Sequence, residues 1–406
     1  MSILIKWLEL LSKRKEKIVI DNYIKYIDCF LPYKRCNLNC SYCYVEGKNN
    51  KDIEVEPLKY SVEYMVKALS KERIGGKAII NLCSDGETLL HKNVFDLTKE
   101  LLKQGHCVSI VSNGTMSDRI DKFLGLDEEY LSRLFFKFSF HYLELKNKKL
   151  LDVFANNIKK VVNSPASFTI EMGASDDYIP YIDEICKFSL EHFKALPHLT
   201  LLRDNDNSEI LMTSLSNDEY IKTWSVFNSG LFDIRLKYWN VKSNTGYCYA
   251  GYFTNTLDMQ EGILRQCYLS NPPFEKNIFD NYNEEFPIVP IGTKCPAIHC
   301  RLCHAFLAFG DKPELKTPTY ESVRNRICTD GSEWLKPTIK NIFKLKFYET
   351  NENYKNVRKM YPNGYECERK NIFDKLFSIK TRYVNNSNRR IITILGVKIK
   401  LKIKDN

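Results

Sequence analysis

Long apolar runs are missing from this sequence, and no stretch reaches the roughly 18 to 20 residues that a membrane-spanning helix requires. Residues 1–17 place apolar residues before basic ones, which reverses the order found in a secretory signal peptide. Internal repeats and low-complexity segments are also absent. The 406 residues are 44% hydrophobic and 27% charged, a balance typical of a soluble protein of two or three domains. We therefore expect a cytoplasmic location.

Disulfides are not expected in a reducing compartment, so the 14 cysteines need another explanation. Eight of them fall into two groups, at 36–43 and 248–303, and this uneven distribution predicts metal sites. Most of the remaining six are expected to be buried as small hydrophobic residues. These six are Cys29, Cys83, Cys107, Cys186, Cys328 and Cys367.

Apolar segments rich in β-formers alternate with segments of helical period in the first half of the chain. The predicted strands are 24–32, 77–83, 106–112, 135–141, 166–173 and 198–203. Such alternation predicts parallel strands with helices outside them. Six βα units are too few for a closed eight-unit barrel, so we predict an α/β fold with an open, partial (β/α)6 barrel. Its functional residues should lie at the C-terminal ends of the strands.

Four regions follow from these patterns. We predict an amphipathic N-terminal segment (1–23), the partial barrel (24–210), a linker with a cysteine-rich domain (211–330) and a basic C-terminal extension (331–406). Within the linker region, residues 204–245 are polar and are expected to be irregular.

The end of the chain is strongly basic. Residues 372–406 contain nine Lys/Arg and two Asp/Glu, a net charge of +7, and apolar residues alternate with lysines in 391–404. This alternation predicts a strand or hairpin with a turn at Gly396. A solvated charged strand is one interpretation, and peripheral contact with an anionic membrane surface is the other. No aromatic ladder accompanies the charge, so we expect no nucleic-acid partner.

The first cysteine group has the spacing Cys36-x3-Cys40-x2-Cys43. Three thiolates on one short loop can reach a single cofactor, and three ligands leave one iron of a 4Fe–4S cluster open to a small molecule. Structural zinc is the alternative, but it needs four ligands, and no fourth Cys or His follows nearby.

This segment, with the aromatic residue Tyr42 before the third cysteine, resembles the radical S-adenosylmethionine (SAM) superfamily. The resemblance implies a SAM-binding 4Fe–4S cluster on Cys36, Cys40 and Cys43. It also implies reductive cleavage of SAM to a 5′-deoxyadenosyl radical, which abstracts hydrogen from a substrate. An external electron donor of the flavodoxin or ferredoxin type would then be needed.

Other segments extend the resemblance. Gly86 and Glu87, after the second predicted strand, resemble the family's GGE motif that holds the SAM amino group, although the residues beside them differ from the family pattern. Asn113 lies in a Ser-Asn-Gly-Thr turn like the one that the family carries after its third strand, and Ser139 is positioned like a ribose-contacting serine. Arg203, after the sixth strand, is a candidate partner of the SAM carboxylate.

The second cysteine group opens with a Cys-x13-Gly-x4-Cys pattern around Gly262 and continues with three cysteines in CPAIHCRLC. This pattern resembles the SPASM/twitch extension of radical SAM enzymes, which implies a second, auxiliary 4Fe–4S cluster. Its predicted ligands are Cys248, Cys267, Cys300 and Cys303, with Cys295 as a replacement or an additional contact. A zinc site that uses His299 or His304 is the alternative.

The sequence leaves three functions open. The first is a radical SAM enzyme that acts on a sugar or surface-polysaccharide precursor, since the basic tail is similar to tails of surface-polysaccharide assembly proteins. The second is a radical SAM enzyme that modifies a peptide or protein, although only 23 residues precede the first predicted strand. The third is a zinc- or cluster-binding scaffold without catalysis. His141, after the fourth strand, is either a substrate contact, a proton donor or a structural histidine.

Overall fold

The computed structural model describes residues 20–43, 57–204, 210–239, 246–269, 272, 274–293, 295–297, 300, 304–364, 377–384, 387–394 and 397–402. The chain divides into two compact units, Met1–Gly364 and Tyr365–Asn406. The amphipathic segment predicted at 1–23 lies mostly outside the described residues. Within the described part of the chain, no helix is long and apolar enough to cross a membrane.

The first unit is built around a mixed sheet in which parallel pairs predominate. Six strands match the six predicted ones: β1 (Ile20–Leu31), β2 (Gly76–Ser84), β3 (Cys107–Ser112), β4 (Leu134–Ser139), β5 (Ser167–Gly173) and β6 (His198–Thr200). Each pairs in parallel with the next, as predicted. Their apolar positions are buried on both faces, as expected for strands between helices and an interior.

Helices connect these strands and cover their outer face. They are α1 (Val62–Ala68), α2 (Lys71–Ile74), α3 (Val94–Lys103), α4 (Ser117–Leu124), α5 (Glu128–Leu131), α6 (Tyr142–Asn147), α7 (Leu151–Val162) and α8 (Ile182–Phe193). Helix α3 illustrates why these segments pack on the sheet as helices, because its Val94, Leu97 and Leu101 recur at helical spacing and are all buried.

The segment predicted as irregular contains two helices, α9 (Asn217–Trp224) and α10 (Gly230–Trp239), so that prediction was wrong. Ser216 and Glu219 form a reciprocal capping box at the start of α9. Tyr220 and Trp224 then bury the inner face of α9, which offsets its polar composition.

The second cysteine group begins on a hairpin that extends the same sheet. Strand β7 (Thr254–Asp258) pairs in parallel with β1, and β8 (Ile263–Arg265) and β9 (Glu275–Asn277) follow in antiparallel order. Gly262 turns the chain with φ +71°, and an added Cβ would lie 2.5 Å from the Asn277 side chain. Gly262 therefore makes a tight turn with a positive φ, which glycine adopts without the penalty of a Cβ atom.

Four helices follow: α11 (His304–Phe309), α12 (Pro337–Phe343), α13 (Phe347–Thr350) and α14 (Tyr354–Met360). The last three fall in the predicted C-terminal extension, yet they belong to the first compact unit. Phe343 packs edge-to-face on Phe135 of β4 with ring centroids 4.9 Å apart. This packing joins the end of the first unit to the inner side of the barrel.

The second unit is an antiparallel sheet of β10 (Phe377–Val384), β11 (Ser387–Ile394) and β12 (Val397–Lys402). The predicted strand character of the tail is confirmed. The register pairs Arg389 with both Arg382 and Lys402, and Ile391 with both Lys380 and Lys400. Residues directly opposite each other share a face of a sheet. One face therefore collects six basic positions: Lys380, Arg382, Arg389, Lys398, Lys400 and Lys402.

Candidate active site

A cavity of about 320 Å³ opens at the C-terminal ends of the barrel strands, where parallel α/β barrels place their functional residues. It is lined by the loop after β1, the loops after β2 and β3, and the ends of β4, β5 and β6. Eight predicted site residues lie together in its wall: Cys36, Cys40, Tyr42, Cys43, Gly86, Glu87, Asn113 and Ser139. Arg203 is not among the lining residues; its guanidinium lies over the ring of Trp239, 5.1 Å from the ring centre.

The cysteine loop is held by its own backbone. The Leu38 N–H points at the Cys36 sulfur over 3.4 Å, and Cys43 N donates to Cys40 O over 3.2 Å. Burial raises the pKa of the Cys36 and Cys40 thiols, so a metal must displace their protons when it binds.

The donor set of this loop fits an iron–sulfur cluster. Within the described residues, no three His, Cys, Asp or Glu side chains converge where one metal ion could be held. A 4Fe–4S cluster does not require such convergence, because each thiolate binds a different iron. Cys36, Cys40 and Cys43 line one cavity and lie close enough to influence one another's charge.

The loop after β2 lies directly against the cysteine loop. Gly86 N donates to Tyr33 O over 2.7 Å, and Glu87 N donates to Arg35 O over 3.0 Å. A Cβ on Gly86 would stand 2.1 Å from the Arg35 carbonyl oxygen, which is far inside van der Waals contact. Glycine is therefore required here for the close approach of two backbones.

Glu87 joins the loops after β2 and β3. Glu87 is 2% exposed, and its carboxylate accepts hydrogen bonds from Leu89 N (3.0 Å), Ser112 Oγ (2.8 Å) and Asn113 N (2.7 Å). Burial raises the pKa of Glu87, and the three hydrogen bonds oppose that rise. A carboxylate has about four acceptor positions, so about one remains for a ligand. Glu87 thus organises the site in addition to lining it.

Asn113 is tied to the cysteine loop through Asn37, a residue that the sequence reasoning missed. Asn113 Nδ2 donates to Asn37 Oδ1 over 2.7 Å, and Asn37 Nδ2 donates to Thr115 Oγ1 over 2.7 Å. The Thr115 hydroxyl in turn donates to Asn113 Oδ1 over 2.7 Å. The available signal was the position of Asn37, directly after the first cysteine of the group.

A cluster of charged side chains is associated with the wall of the same cavity. Lys137 and Glu171 line the cavity with their charged groups 4.0 Å apart, and Glu171 also pairs with the fully buried Arg324. Burial by itself would raise the pKa of Glu171, but the charges of Arg324 and Lys137 outweigh it and hold the pKa below its usual value. Arg324 comes from well outside the predicted barrel, and nothing in the local sequence pointed to it.

Four of the five cysteines of the second group lie near one another in the described part of the chain. Cys295 and Cys300 both lie close enough to Cys248 and Cys267 to raise their thiol pKa values, a smaller effect than that of burial. The predicted ligand Cys303 lies outside the described residues. Cys248 is anchored by paired backbone hydrogen bonds with Gly292, each 2.9 Å long.

Comparison with known families gives this site a name. Residues 30–138 match the family model described as the Radical SAM superfamily. Over this segment the chain is similar to radical SAM domains. The matched segment runs from the end of β1 to the end of β4 and contains the cysteine loop, the Gly86–Glu87 loop and the Asn113 turn.

Outside the family model, relatives cover little of the chain or resemble it only distantly. An uncharacterized protein of Methanocaldococcus jannaschii is 40% identical over 50 residues, which is 12% of this chain and 18% of that protein. The chain thus spans about a fifth of the length of that relative. Streptococcus suis SuiB bound to SAM is 13% identical, with a TM-score of 0.43 and 69% of each chain covered. The anSMEcpe structure with bound AdoMet is 15% identical, with a TM-score of 0.41 and coverage of 82% of this chain and 95% of that one.

Proposed function

We propose that this protein is a radical SAM enzyme. The observation that carries the proposal is the single cavity that Cys36, Cys40 and Cys43 share with Glu87 and Asn113, inside the segment that matches the radical SAM family. When bound there, a 4Fe–4S cluster supplies the electron that cleaves SAM to a 5′-deoxyadenosyl radical. The chain itself holds the cluster, positions SAM and substrate, and limits the access of water.

The residues of the cavity have separate roles in this proposal. The three cysteines hold the cluster, and Gly86 allows the neighbouring loop to reach it. Glu87 fixes the loops after β2 and β3 and offers an acceptor to the SAM amino group. Ser139, at the end of β4, is a candidate contact of the ribose. Arg203 has no part in this proposal, since it is not a lining residue of the cavity.

An auxiliary 4Fe–4S cluster on the second cysteine group, in a SPASM/twitch-like domain, is part of the proposal. Its support is the proximity of Cys248, Cys267, Cys295 and Cys300. Cys303 completes the predicted set, and zinc is the competing occupant.

The proposed substrate is a sugar or surface-polysaccharide precursor, with a peptide or protein as the alternative. A cavity of about 320 Å³ falls at the small end of the range for small-molecule sites. Each candidate substrate, deuterated at the reacting carbon, is tested by transfer of deuterium into 5′-deoxyadenosine. Transfer from a glycan precursor supports the first class, and transfer only from a peptide replaces it with the second.

Two partners complete the proposal. A flavodoxin or ferredoxin supplies the electron, because reductive cleavage of SAM consumes one electron that must reach the cluster from outside the protein. The six basic positions on one face of the C-terminal sheet suit an anionic membrane surface. Each such charge contributes about 1 kcal/mol at an anionic bilayer.

The test of the radical function starts with anaerobic purification, cluster reconstitution and measurement of iron and sulfide. SAM and dithionite are then added, and 5′-deoxyadenosine is quantified. We expect about eight irons per chain in the unaltered protein and about four in a Cys36→Ala/Cys40→Ala/Cys43→Ala variant. Only the former should release 5′-deoxyadenosine.

A matched control is Cys186→Ala, which removes a cysteine outside both groups. It should keep the full iron content and the full yield of 5′-deoxyadenosine. A protein that holds zinc, or that carries complete clusters without cleaving SAM, would overturn the proposal in favour of a non-catalytic scaffold.

A further inference from the structure

The inner face of strand β4 carries a lysine, Lys137, one layer deeper in the barrel than Ser139. Side chains alternate along a strand, so Phe135, Lys137 and Ser139 point to the same side of the sheet. Phe135 packs on Phe343 inside the barrel, and both Lys137 and Ser139 line the cavity. Two residues of a strand span about 6.6 Å. Lys137 therefore lies about that far along the strand from Ser139, the candidate contact of the ribose.

Polar side chains occupy the layer around Lys137, although bulky branched apolar residues usually fill the interior of a closed barrel. Asn81 Nδ2 donates to Asp28 Oδ1 over 2.7 Å, and Ser109 Oγ donates to Asn81 Oδ1 over 2.8 Å. These three residues are buried and satisfy one another. Among the described residues, Lys137 Nζ and the neighbouring Thr169 hydroxyl make no hydrogen bond, and of these two residues only Lys137 lines the cavity.

The one described carboxylate within 4.0 Å of Lys137 already has another partner. Glu171 lies at that distance from Lys137 Nζ, which is beyond hydrogen-bond length, and it pairs with the guanidinium of the fully buried Arg324. The Lys137 side chain is only 11% exposed, so it lacks the full hydration of a surface lysine. Burying a charge is costly unless it is paired. The three N–H donors of Lys137 therefore remain available to an acceptor in the cavity.

The charges around Lys137 are positive in sum. Arg235 donates to the hydroxyl of Thr200, a lining residue at the end of β6, and lies close enough to Glu171 to stabilise its charged form. Lys137 has the same effect on the buried Asp28. Three cations therefore stand with two carboxylates. We call these five residues the cationic floor of the cavity: Lys137, Arg235, Arg324, Asp28 and Glu171.

The loop after β2 gives another part of the cavity wall the opposite character. Asp85 and Glu87 line the cavity there, and Lys34 is the cation near Asp85. This loop lies against the cysteine loop, and in the proposed function Glu87 takes the SAM amino group. The cavity is therefore polarised. Its acidic part belongs to the cluster side, and its cationic floor belongs to strands β4 to β6.

We propose that Lys137 binds an anionic group of the substrate, a carboxylate or a phosphate, at the cationic floor. The substrate rather than SAM is the expected owner of this group, because the proposed SAM contacts Glu87 and Ser139 lie on the cluster side and one layer above Lys137. A glycan precursor that carries a uronic acid or a sugar phosphate has the required group, and a neutral sugar does not. The inference rests on the proposed radical SAM function.

The test is equilibrium dialysis of labelled inorganic phosphate and glucuronate against the reconstituted, SAM-loaded protein without reductant. Glucose is the neutral comparison for glucuronate. We expect both anions to bind more tightly than glucose. Lys137→Met removes the charge and should weaken binding of both anions about tenfold or more, the effect of one lost charge-assisted hydrogen bond. Lys137→Arg keeps the charge and should bind them within about threefold of the unaltered protein.

Two controls separate this role from a structural one. Lys159→Met replaces an exposed lysine of helix α7 and should bind both anions normally. Iron content and SAM affinity are measured in the same samples and should not change in any of these variants. A damaged fold would lower iron, SAM and anion binding together, whereas loss of the anion contact lowers only the binding of phosphate and glucuronate.

Several results would overturn the inference. If neither anion binds to the SAM-loaded protein, or if glucose binds as well as glucuronate, the floor does not select an anion. Unchanged anion binding in Lys137→Met would exclude this lysine. A tenfold loss of SAM affinity in Lys137→Met would assign the lysine to the SAM carboxylate. The radical function survives each of these results, since the unaltered protein still binds and cleaves SAM. Failure of the unaltered protein with full clusters to bind SAM would instead defeat the proposed function.

Discussion

Replacing Gly86 by alanine tests whether the loop after β2 must lie against the cysteine loop. An added Cβ would stand 2.1 Å from the Arg35 carbonyl oxygen and 2.8 Å from the Lys34 carbonyl carbon. Real Cβ atoms essentially never show contacts under 3.0 Å. Both neighbours are backbone atoms, so no side-chain rotation relieves the clash, and one loop must move away from the other.

The size of the effect follows from that movement. An ordinary contact begins at 3.4 Å, so the new Cβ and the Arg35 oxygen must separate by the difference from 2.1 Å, about 1.3 Å. This movement breaks the 3.0 Å hydrogen bond from Glu87 N to Arg35 O. The lost bond costs about 1 kcal/mol, and overpacking adds about 1–3 kcal/mol. We expect the free energy of unfolding to fall by about 2–4 kcal/mol.

Cluster assembly should fall with stability, because Cys36 directly follows the displaced Arg35. The assay is iron per chain after anaerobic reconstitution, together with denaturant unfolding of the same samples. Gly125→Ala is the matched control, since its added Cβ would find its nearest atom at 3.5 Å. If Gly86→Ala binds iron and unfolds like Gly125→Ala, the close approach of the two loops does not matter and the reasoning is wrong.

Two further changes test other parts of the molecule. Arg324→Met leaves the partly buried Glu171 with Lys137 alone and should cost about 3–5 kcal/mol at neutral pH, most of which Glu171→Gln should recover in the double variant. Since Arg324 holds the folded pKa of Glu171 below its unfolded value, the contribution of the pair should be present above about pH 4.3 and be lost as the pH falls through the folded pKa. An acid titration of stability that is identical with and without Arg324 would refute the pairing. Replacing three basic residues of β12 by glutamine should weaken binding to phosphatidylserine vesicles about a hundredfold. Binding to phosphatidylcholine vesicles should not change. Equal losses on both kinds of vesicle would exclude an electrostatic contact. The three residues are Lys398, Lys400 and Lys402.

Features that depend on neighbours in sequence were predictable. The six barrel strands follow from runs of apolar β-formers, and their parallel order follows from the helices between them. The short spacing of Cys36, Cys40 and Cys43 means that one loop carries all three. The pattern Cys-x13-Gly-x4-Cys marked the segment in which Gly262 joins β7 to β8.

Polar residues with long-range partners were not predictable. Arg203 lies beyond the end of β6, where its guanidinium stands 5.1 Å from the ring centre of Trp239, and it is not a lining residue of the cavity. Helix α9 was missed because its polar residues dominate the pattern, while its stability comes from burying Tyr220 and Trp224.

The sequence by itself determined that Cys36, Cys40 and Cys43 lie close together, because they share one short loop and chain geometry limits their separation. Only the tertiary structure decided what surrounds them. Glu171 pairs with Arg324 across 153 positions, and Tyr42 meets His141 across 99. Contacts between residues so far apart in sequence depend on how whole helices and strands pack. Burial then requires a partner for each polar group, since burying an unpaired charge or hydroxyl costs free energy of folding.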